Sequence, residues 1–160
     1  MSSAKIRDAK LSETGHLAKI WFDGWQDAHA RILPAELGRL RTLQSFEETL
    51  RAASTAVRVA EVAGAPVGFY LLKGAELHQF YVSANARGSG VAADLMADAE
   101  ARLRENGVRT AWLTCAIGND RAARFYEKSG WPRTGTVTDN VEVPGGTLAL
   151  VVWRYEKPLR

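Results

Sequence analysis

Whatever this chain folds into has to accommodate one stretch first: Gln79-Phe-Tyr-Val-Ser-Ala-Asn-Ala-Arg-Gly-Ser-Gly-Val-Ala-Ala-Asp-Leu-Met96. Phe80, Tyr81 and Val82 favour a strand, and Asn85 to Gly90 supply turn residues. From Val91 on, apolar side chains recur at Val91, Leu95, Ala99 and Leu103, a helical spacing. The pattern predicts a strand, a tight glycine turn and a helix that begins inside the turn. Gly88 and Gly90 remove two Cβ atoms where the backbone enters that helix, which leaves main-chain N–H groups open. The first turn of a helix carries unpaired N–H donors and a partial positive charge. Such an arrangement suits an anion, above all a phosphate.

Around this stretch the punctuation is regular. Lys5 to Ala9 reads as a short first strand. Ser12 is a good N-cap for a helix whose face carries Leu17, Ile20, Trp21, Gly24, Trp25 and Ala28, and Pro34 stops it and suits the start of a second, short helix. Ser45 and Glu48 have capping-box spacing for a further helical segment. Ala56 to Val62 and Val67 to Leu72 read as a hairpin around Ala63-Gly-Ala-Pro66, and Glu76 to Val82 is the strand that feeds the glycine turn. The helix after Gly90 should stop at Gly107, with Asp98–Arg102 and Glu100–Arg104 as i,i+4 pairs on its wet face. Arg109 to Ala116 is almost wholly apolar or β-branched, hence a central strand. A last helix spans Asn119 to Ser129, and two long strands, 131–143 and 146–156, flank Pro144-Gly-Gly146. This order predicts one domain over residues 1–160, with a single mixed α/β or α+β sheet and a parallel unit in its middle.

Composition removes several function classes. The net charge of +3 and pI near 9.2 come from scattered residues, and nucleic-acid binding would want a clustered basic stripe. Cys115 is the single cysteine, so no disulfide framework or Cys-rich metal site exists. His16, His29 and His78 lie far apart without an H-E-x-x-H pattern, so no metal is expected. The N-terminus has no apolar signal core and no run approaches 18 residues, so a cytoplasmic protein without a membrane partner is expected.

Three phosphate-type readings compete for the glycine turn. The P-loop pattern is absent. Gly88-Ser-Gly90-Val-Ala-Ala93 fits the loose G-x-G-x-x-A dinucleotide pattern, but the following strand ends in Cys115-Ala-Ile-Gly118, without the carboxylate that site needs. Ser89 is not in a G-x-S-x-G context. The third reading takes Arg87-Gly-Ser-Gly-Val-Ala92 as R/Q-x-x-G-x-G/A. Here the chain resembles the GNAT superfamily of acetyl-CoA-dependent N-acetyltransferases. Asn119-Asp-Arg-Ala122-Ala-Arg-Phe125-Tyr126-Glu-Lys-Ser-Gly130-Trp131 likewise resembles that family's N-x-x-A-x-x-F-Y-x-x-x-G-F/W segment. Asn119, Ala122 and Tyr126 fall on one helical face, while Phe125 is taken as a core aromatic.

The resemblance implies a central, mostly antiparallel sheet of about six to seven strands with a splayed parallel pair, flanked by about four helices. It implies direct acetyl transfer from acetyl-CoA to a primary amine of a small-molecule or amino-acid-like acceptor, without a metal. A non-catalytic acyl-CoA sensor and acetylation of a protein lysine or N-terminus stand as alternatives. The diphosphate of CoA would rest on amides from Arg87, Gly88, Ser89, Gly90, Val91 and Ala92, with Val82 holding the thioester end and Asn119 and Tyr126 facing the cofactor. Tyr126 is the candidate general acid, since an ordinary phenol stays protonated at pH 7. Freeing a lysine-like amine at pH 7 costs roughly 4–5 kcal/mol, so a base is needed, and Glu76 is the candidate. Trp25, His29 and His78 are candidates for the acceptor pocket. Ala30-Arg-Ile-Leu-Pro34 resembles a segment of members that act on small amines. Cys115 reads as a small buried residue near the acetyl site. Family members often dimerise through their terminal strands, which makes Leu148 to Tyr155 a candidate pairing surface.

Overall fold

The computed structural model describes residues 4–143 and 145–159. Seven strands form one sheet: β1 (Lys5–Asp8), β2 (Val57–Val62), β3 (Ala65–Lys73), β4 (Glu76–Val82), β5 (Thr110–Ala116), β6 (Arg133–Val143) and β7 (Gly146–Pro158). Their order across the sheet is β1-β2-β3-β4-β5-β7-β6. Every neighbouring pair is antiparallel except β4 and β5. Five α-helices complete the fold: α1 (Thr14–His29), α2 (Ala35–Leu40), α3 (Leu43–Ala52), α4 (Val91–Glu105) and α5 (Asp120–Lys128).

The sheet is buried on both faces, as the apolar run of β5 requires. On one face α4 lays Val91, Leu95, Ala99 and Leu103 against Leu77, Leu113 and Tyr155, with Trp131 fully enclosed. On the other, α1 and α3 bury Leu17, Trp21, Trp25, Phe46 and Leu50 on Val57, Val59 and Phe69. Trp21 and Phe46 stack with ring centroids 4.3 Å apart. Each such side chain contributes about 1.5–3 kcal/mol on burial.

Several boundaries differ from the sequence reading. Helix α1 is preceded by a 3-10 turn over Leu11–Glu13, so Ser12 caps nothing and Glu13 takes the N-cap position. The capping box of α3 joins Thr42 and Ser45, three residues before the expected pair. The β2–β3 turn is tighter than expected: Ala63 and Gly64 alone take positive φ, 52° and 83°, which suits a two-residue hairpin. Pro66 therefore belongs to β3, opposite Glu61 at an irregularity in the register. Pro144 lies outside the described residues.

The charged residues of α4 also differ. Glu100, expected on the wet face, is only 7% exposed. It accepts from Lys157 Nζ at 2.9 Å and from the Trp131 indole at 3.2 Å, and Arg104 approaches it at 3.6 Å. Asp98 binds Arg58 and the Tyr70 hydroxyl, while Arg102 turns to Asp8. These bonds tie α4 to β2, β3 and β7 across long sequence distances.

Gly24 sets how closely α1 approaches β4. A Cβ there would lie 2.5 Å from the ring of Tyr81. Glycine to alanine inside a helix normally stabilises by up to about 1 kcal/mol. Here Gly24→Ala should instead destabilise by about 1–3 kcal/mol through overpacking, read as a lower urea midpoint at unchanged slope.

Candidate active site

Strands β4 and β5 touch at one registered pair, Glu76 opposite Trp112, and are not paired beyond it. Each is well paired on its other side, β4 to β3 and β5 to β7. The unpaired length opens a cavity of about 650 Å³ between the two strands and the helices above them. It is lined from β4 by Leu77 to Val82 and from β5 by Thr114, Cys115 and Ala116.

Both strands lead into helices at the mouth of this gap. Beyond Val82 the chain makes a 3-10 turn at Ala84–Ala86, then passes Gly88 (φ 76°) and Gly90 (φ 90°) into α4. Both glycines occupy the left-handed region, and a Cβ on Gly88 would meet nothing within 4 Å. The conformation, not crowding, asks for glycine there. Among the described residues the N–H groups of Gly88, Ser89 and Gly90 make no well-formed backbone hydrogen bond. Val91 and Ala92 add the orphan donors of a first helical turn. Ser89 turns its hydroxyl back to the Ala86 carbonyl, which pins the turn and agrees with its not being a nucleophile. Across the gap, Asn119 caps α5 by accepting from the Ala122 N–H at 3.5 Å. Asn119, Ala122 and Tyr126 line the cavity together, as their spacing predicts. Phe125, taken as core, also lines it while packing on Phe80 at 5.4 Å.

The phenol of Tyr126 is held far above its ordinary range by burial, with Cys115, Tyr81 and Tyr155 adding to the effect. It stays protonated at any physiological pH. Burial likewise pushes the Cys115 thiol up to about 12, which fits an inert buried residue and not an acyl carrier.

At the other end of the cavity, helices α1 to α3 supply Trp21, Trp25, His29, Leu33 and Phe46, and the β6–β7 ribbon supplies Asp139, Val141 and Leu150. Trp25 and His29, the expected pair, meet at 5.2 Å between ring centroids. Arg41, between α2 and α3, also lines this end, and its guanidinium makes no ion pair or hydrogen bond among the described residues.

His78 and Glu76 come together at the closed end of the gap. The register with β3 slips between Leu71, opposite Gln79, and Leu72, opposite Leu77, so His78 is an extra residue in a β-bulge. His78 lines the cavity and Glu76 does not. The Glu76 carboxylate instead lies 3.1 Å from Nδ1 of His78. That approach is off the hydrogen-bonding direction, and Nδ1 is buried without a hydrogen bond.

Arg87 was expected among the phosphate-facing groups. Its guanidinium is tied at 3.0 Å to Asp27 of α1, which Arg121 of α5 also reaches at 2.8 Å. Arg121 and then Arg87 hold the Asp27 carboxyl below its usual range. Neither Asp27 nor Arg121 was singled out from sequence. Their only signal is that each lies on the helical turn facing the glycine loop, and that proximity is tertiary.

Three comparisons bear on this geometry. The profile of the Acetyltransferase (GNAT) family matches residues 17–131. Uncharacterised N-acetyltransferases of Mycobacterium bovis and Mycobacterium tuberculosis are 34% identical over 98 residues, 58% of this chain. The match spans 63% of the length of those curated relatives. Among solved structures, a GCN5-related N-acetyltransferase of Rhodopseudomonas palustris superposes with a TM-score of 0.76 at 21% identity, covering 99% of this chain and 98% of the other. PaiA N-acetyltransferase of Thermoplasma acidophilum, solved with coenzyme A, gives 0.73 at 17% identity, covering 98% and 99%. At these identities the superpositions establish the fold.

His29 generates a pH-dependence prediction. Burial lowers its pKa to about 4, while the Trp25 carbonyl pulls weakly the other way. The unfolded chain takes a proton near pH 6.5 that the folded state refuses until about 4. Stability should therefore fall with pH across that window, by about 3 kcal/mol, and be unaffected above it. The lowered carboxylates of Glu13 and Asp98 act at lower pH. Urea titrations of wild type and His29→Gln from pH 4 to 7 should diverge, with the variant nearly flat.

Proposed function

Because the chain belongs to the GNAT acetyltransferase family, we propose that it transfers an acetyl group from acetyl-CoA to a primary amine of a small, amino-acid-like acceptor in a ternary complex. The observation that carries this reading is the open-amide glycine turn that starts α4 at the mouth of the β4–β5 gap. A diphosphate suits the N–H groups from Arg87 to Ala92, and an extended amide-bearing arm suits the unpaired strand edges inside the gap. A thioester seated near Val82 lies within reach of backbone N–H groups that can polarise its carbonyl. Acetyl-CoA supplies the activated acyl group and needs no metal, and no group of three or more His, Cys, Asp or Glu that could hold one occurs among the described residues.

The roles of the chain's own residues follow from the cavity. Tyr126 is the acid: its proton is retained by burial and can pass to the departing sulfur. The base belongs at the other wall, where Glu76 and His78 lie, so that acid and base flank the scissile bond. The acceptor end is aromatic and apolar, with Arg41 as a cation in want of a partner. An apolar amine that bears a carboxylate fits that chemistry better than a lysine on a protein surface, because the helices and the β6–β7 ribbon enclose the site.

A thiol-release assay with acetyl-CoA and a panel of amines tests the reading. Turnover with carboxylate-bearing amines is expected, and no turnover above hydrolysis with any amine contradicts it. Tyr126→Phe should lower kcat by about 10²-fold or more while leaving acetyl-CoA affinity unchanged. Full activity in that variant would remove Tyr126 as the acid.

A further inference from the structure

On the reading just given, we infer that His78 takes the proton of the incoming ammonium group at Nε2, and that Glu76 is a positioning residue behind it on Nδ1. The sequence offered the carboxylate as the base and the imidazole as a pocket wall. The geometry exchanges these roles.

Three observations carry the exchange. First, the bulge makes His78 the re-aimed residue. Leu77 packs on the α4 face and Gln79 pairs with Leu71 on the α1 face, so the extra residue between them no longer follows the pleat. Bulges beside active sites serve this purpose, re-aiming one side chain without moving the strand. Second, His78 reaches the cavity and Glu76 does not. A carboxylate outside the cavity cannot touch the amine, whereas the imidazole in front of it can. Third, the two nitrogens of the ring have different surroundings. Nδ1 is sealed from solvent and faces Glu76 Oε2 at 3.1 Å, whereas the His78 side chain as a whole remains 35% exposed. A proton on Nδ1, directed at the carboxylate, leaves the Nε2 lone pair on the accessible edge. A modest ring rotation completes the Nδ1 bond, and such bonds commonly tighten only when substrate is present.

Among the other titratable groups around the cavity, the second histidine, the thiol and the phenols do not compete with His78 for this role. His29 is buried and stays neutral down to about pH 4, and Cys115 and Tyr126 keep their protons. Tyr81 is likewise held protonated by burial. Arg41 and Asp139 line the acceptor end. From β3, the residues flanking the bulge are Leu71 and Leu72, with Lys73 opposite Glu76 at the strand end. On β7, Arg154 and Glu156 pair with each other, and Arg154 covers the Trp112 ring.

The proton balance is complete. The ammonium gives one proton to Nε2, and its freed lone pair forms the C–N bond as the C–S bond breaks. The departing thiolate takes the phenolic proton of Tyr126. The new amide nitrogen, still carrying an extra proton, restores it to Tyr126, and His78 releases its proton to solvent.

The test is the pH profile of kcat/KM for the full chain, with acetyl-CoA affinity measured by calorimetry in parallel. In His78→Gln the rate should drop about 10²–10³-fold, with acetyl-CoA affinity unchanged and the acidic limb of the profile gone. An acceptor that is already unprotonated at pH 7, such as an arylamine, should recover most of that loss. Glu76→Gln should keep the limb, with a several-fold lower rate. An unaltered limb in His78→Gln overturns the inference. So does loss of the limb in Glu76→Gln with His78→Gln retaining it, which would make Glu76 the base itself. Wild-type protein that binds acetyl-CoA but acetylates no amine overturns both this inference and the transferase reading. That outcome is distinguishable because it appears before any variant is made.

Discussion

The architecture of this molecule turns on two strands that pair once and then part. β4 and β5 share the Glu76–Trp112 register and nothing further, although each is anchored along its outer edge by an antiparallel neighbour. Parting strands leave N–H and C=O groups unsatisfied inside a protein, a cost of about 1–3 kcal/mol for each group that finds no partner. On the proposed reading, a ligand with amides of its own offsets that cost by lying in the gap. Because both strands run in the same direction, the helices that follow them, α4 and α5, begin at the same mouth. The glycine turn and the Asn119 cap thus face one opening, which on the proposed reading takes the phosphate-bearing end of the donor while the reactive end lies deeper.

The sheet tolerates this opening because long-range polar bonds hold its two sides from behind. Glu100 of α4, buried, gathers Lys157 and the Trp131 indole from the β5–β7–β6 side of the sheet. Asp98, two residues earlier and so on another side of the helix, gathers Arg58 and Tyr70 from the β2–β3 side. Helix α4 therefore bridges the split with one carboxylate for each half. Removing a partner of the buried Glu100 carboxylate costs up to about 3–5 kcal/mol, less for the partly buried Asp98, which is why these residues belong to the scaffold and not the chemistry. In front, Asp27 of α1 joins Arg87 of the glycine loop to Arg121 of α5. That bridge is exposed, and as a contribution to stability it is small.

The fold was legible where periodicity and punctuation agree. The glycine turn, the helix from Val91, the apolar β5 and the paired motifs of the family located the parallel unit. The Asn119, Ala122 and Tyr126 face was legible because helical spacing is local. What stayed hidden is tertiary. Glu100 looks like any exposed helical glutamate until β7 brings Lys157 to it. Phe125 reads as core from its type alone, and only the gap beside it makes it a wall. Ser12 and Ser45 look like better caps than the residues that serve, since cap choice depends on how the chain enters the helix. The bulge at His78 leaves no trace in composition. A strand reading assigns Glu76 and His78 the same face and cannot say which reaches the cavity. Arg41, Asp27 and Arg121 are single charges in unremarkable local sequence, and their placement comes from how α1, α5 and the α2–α3 turn pack around the sheet.

The seating of the donor in the split is tested most directly by following backbone amide resonances while acetyl-CoA is added. The amides of Val82 and of Arg87 to Ala92 should shift together and become protected from exchange, with Asn119 and Tyr126 responding across the gap and β1 and β2 silent. Shifts centred on any other surface, with the glycine turn unmoved, would contradict it.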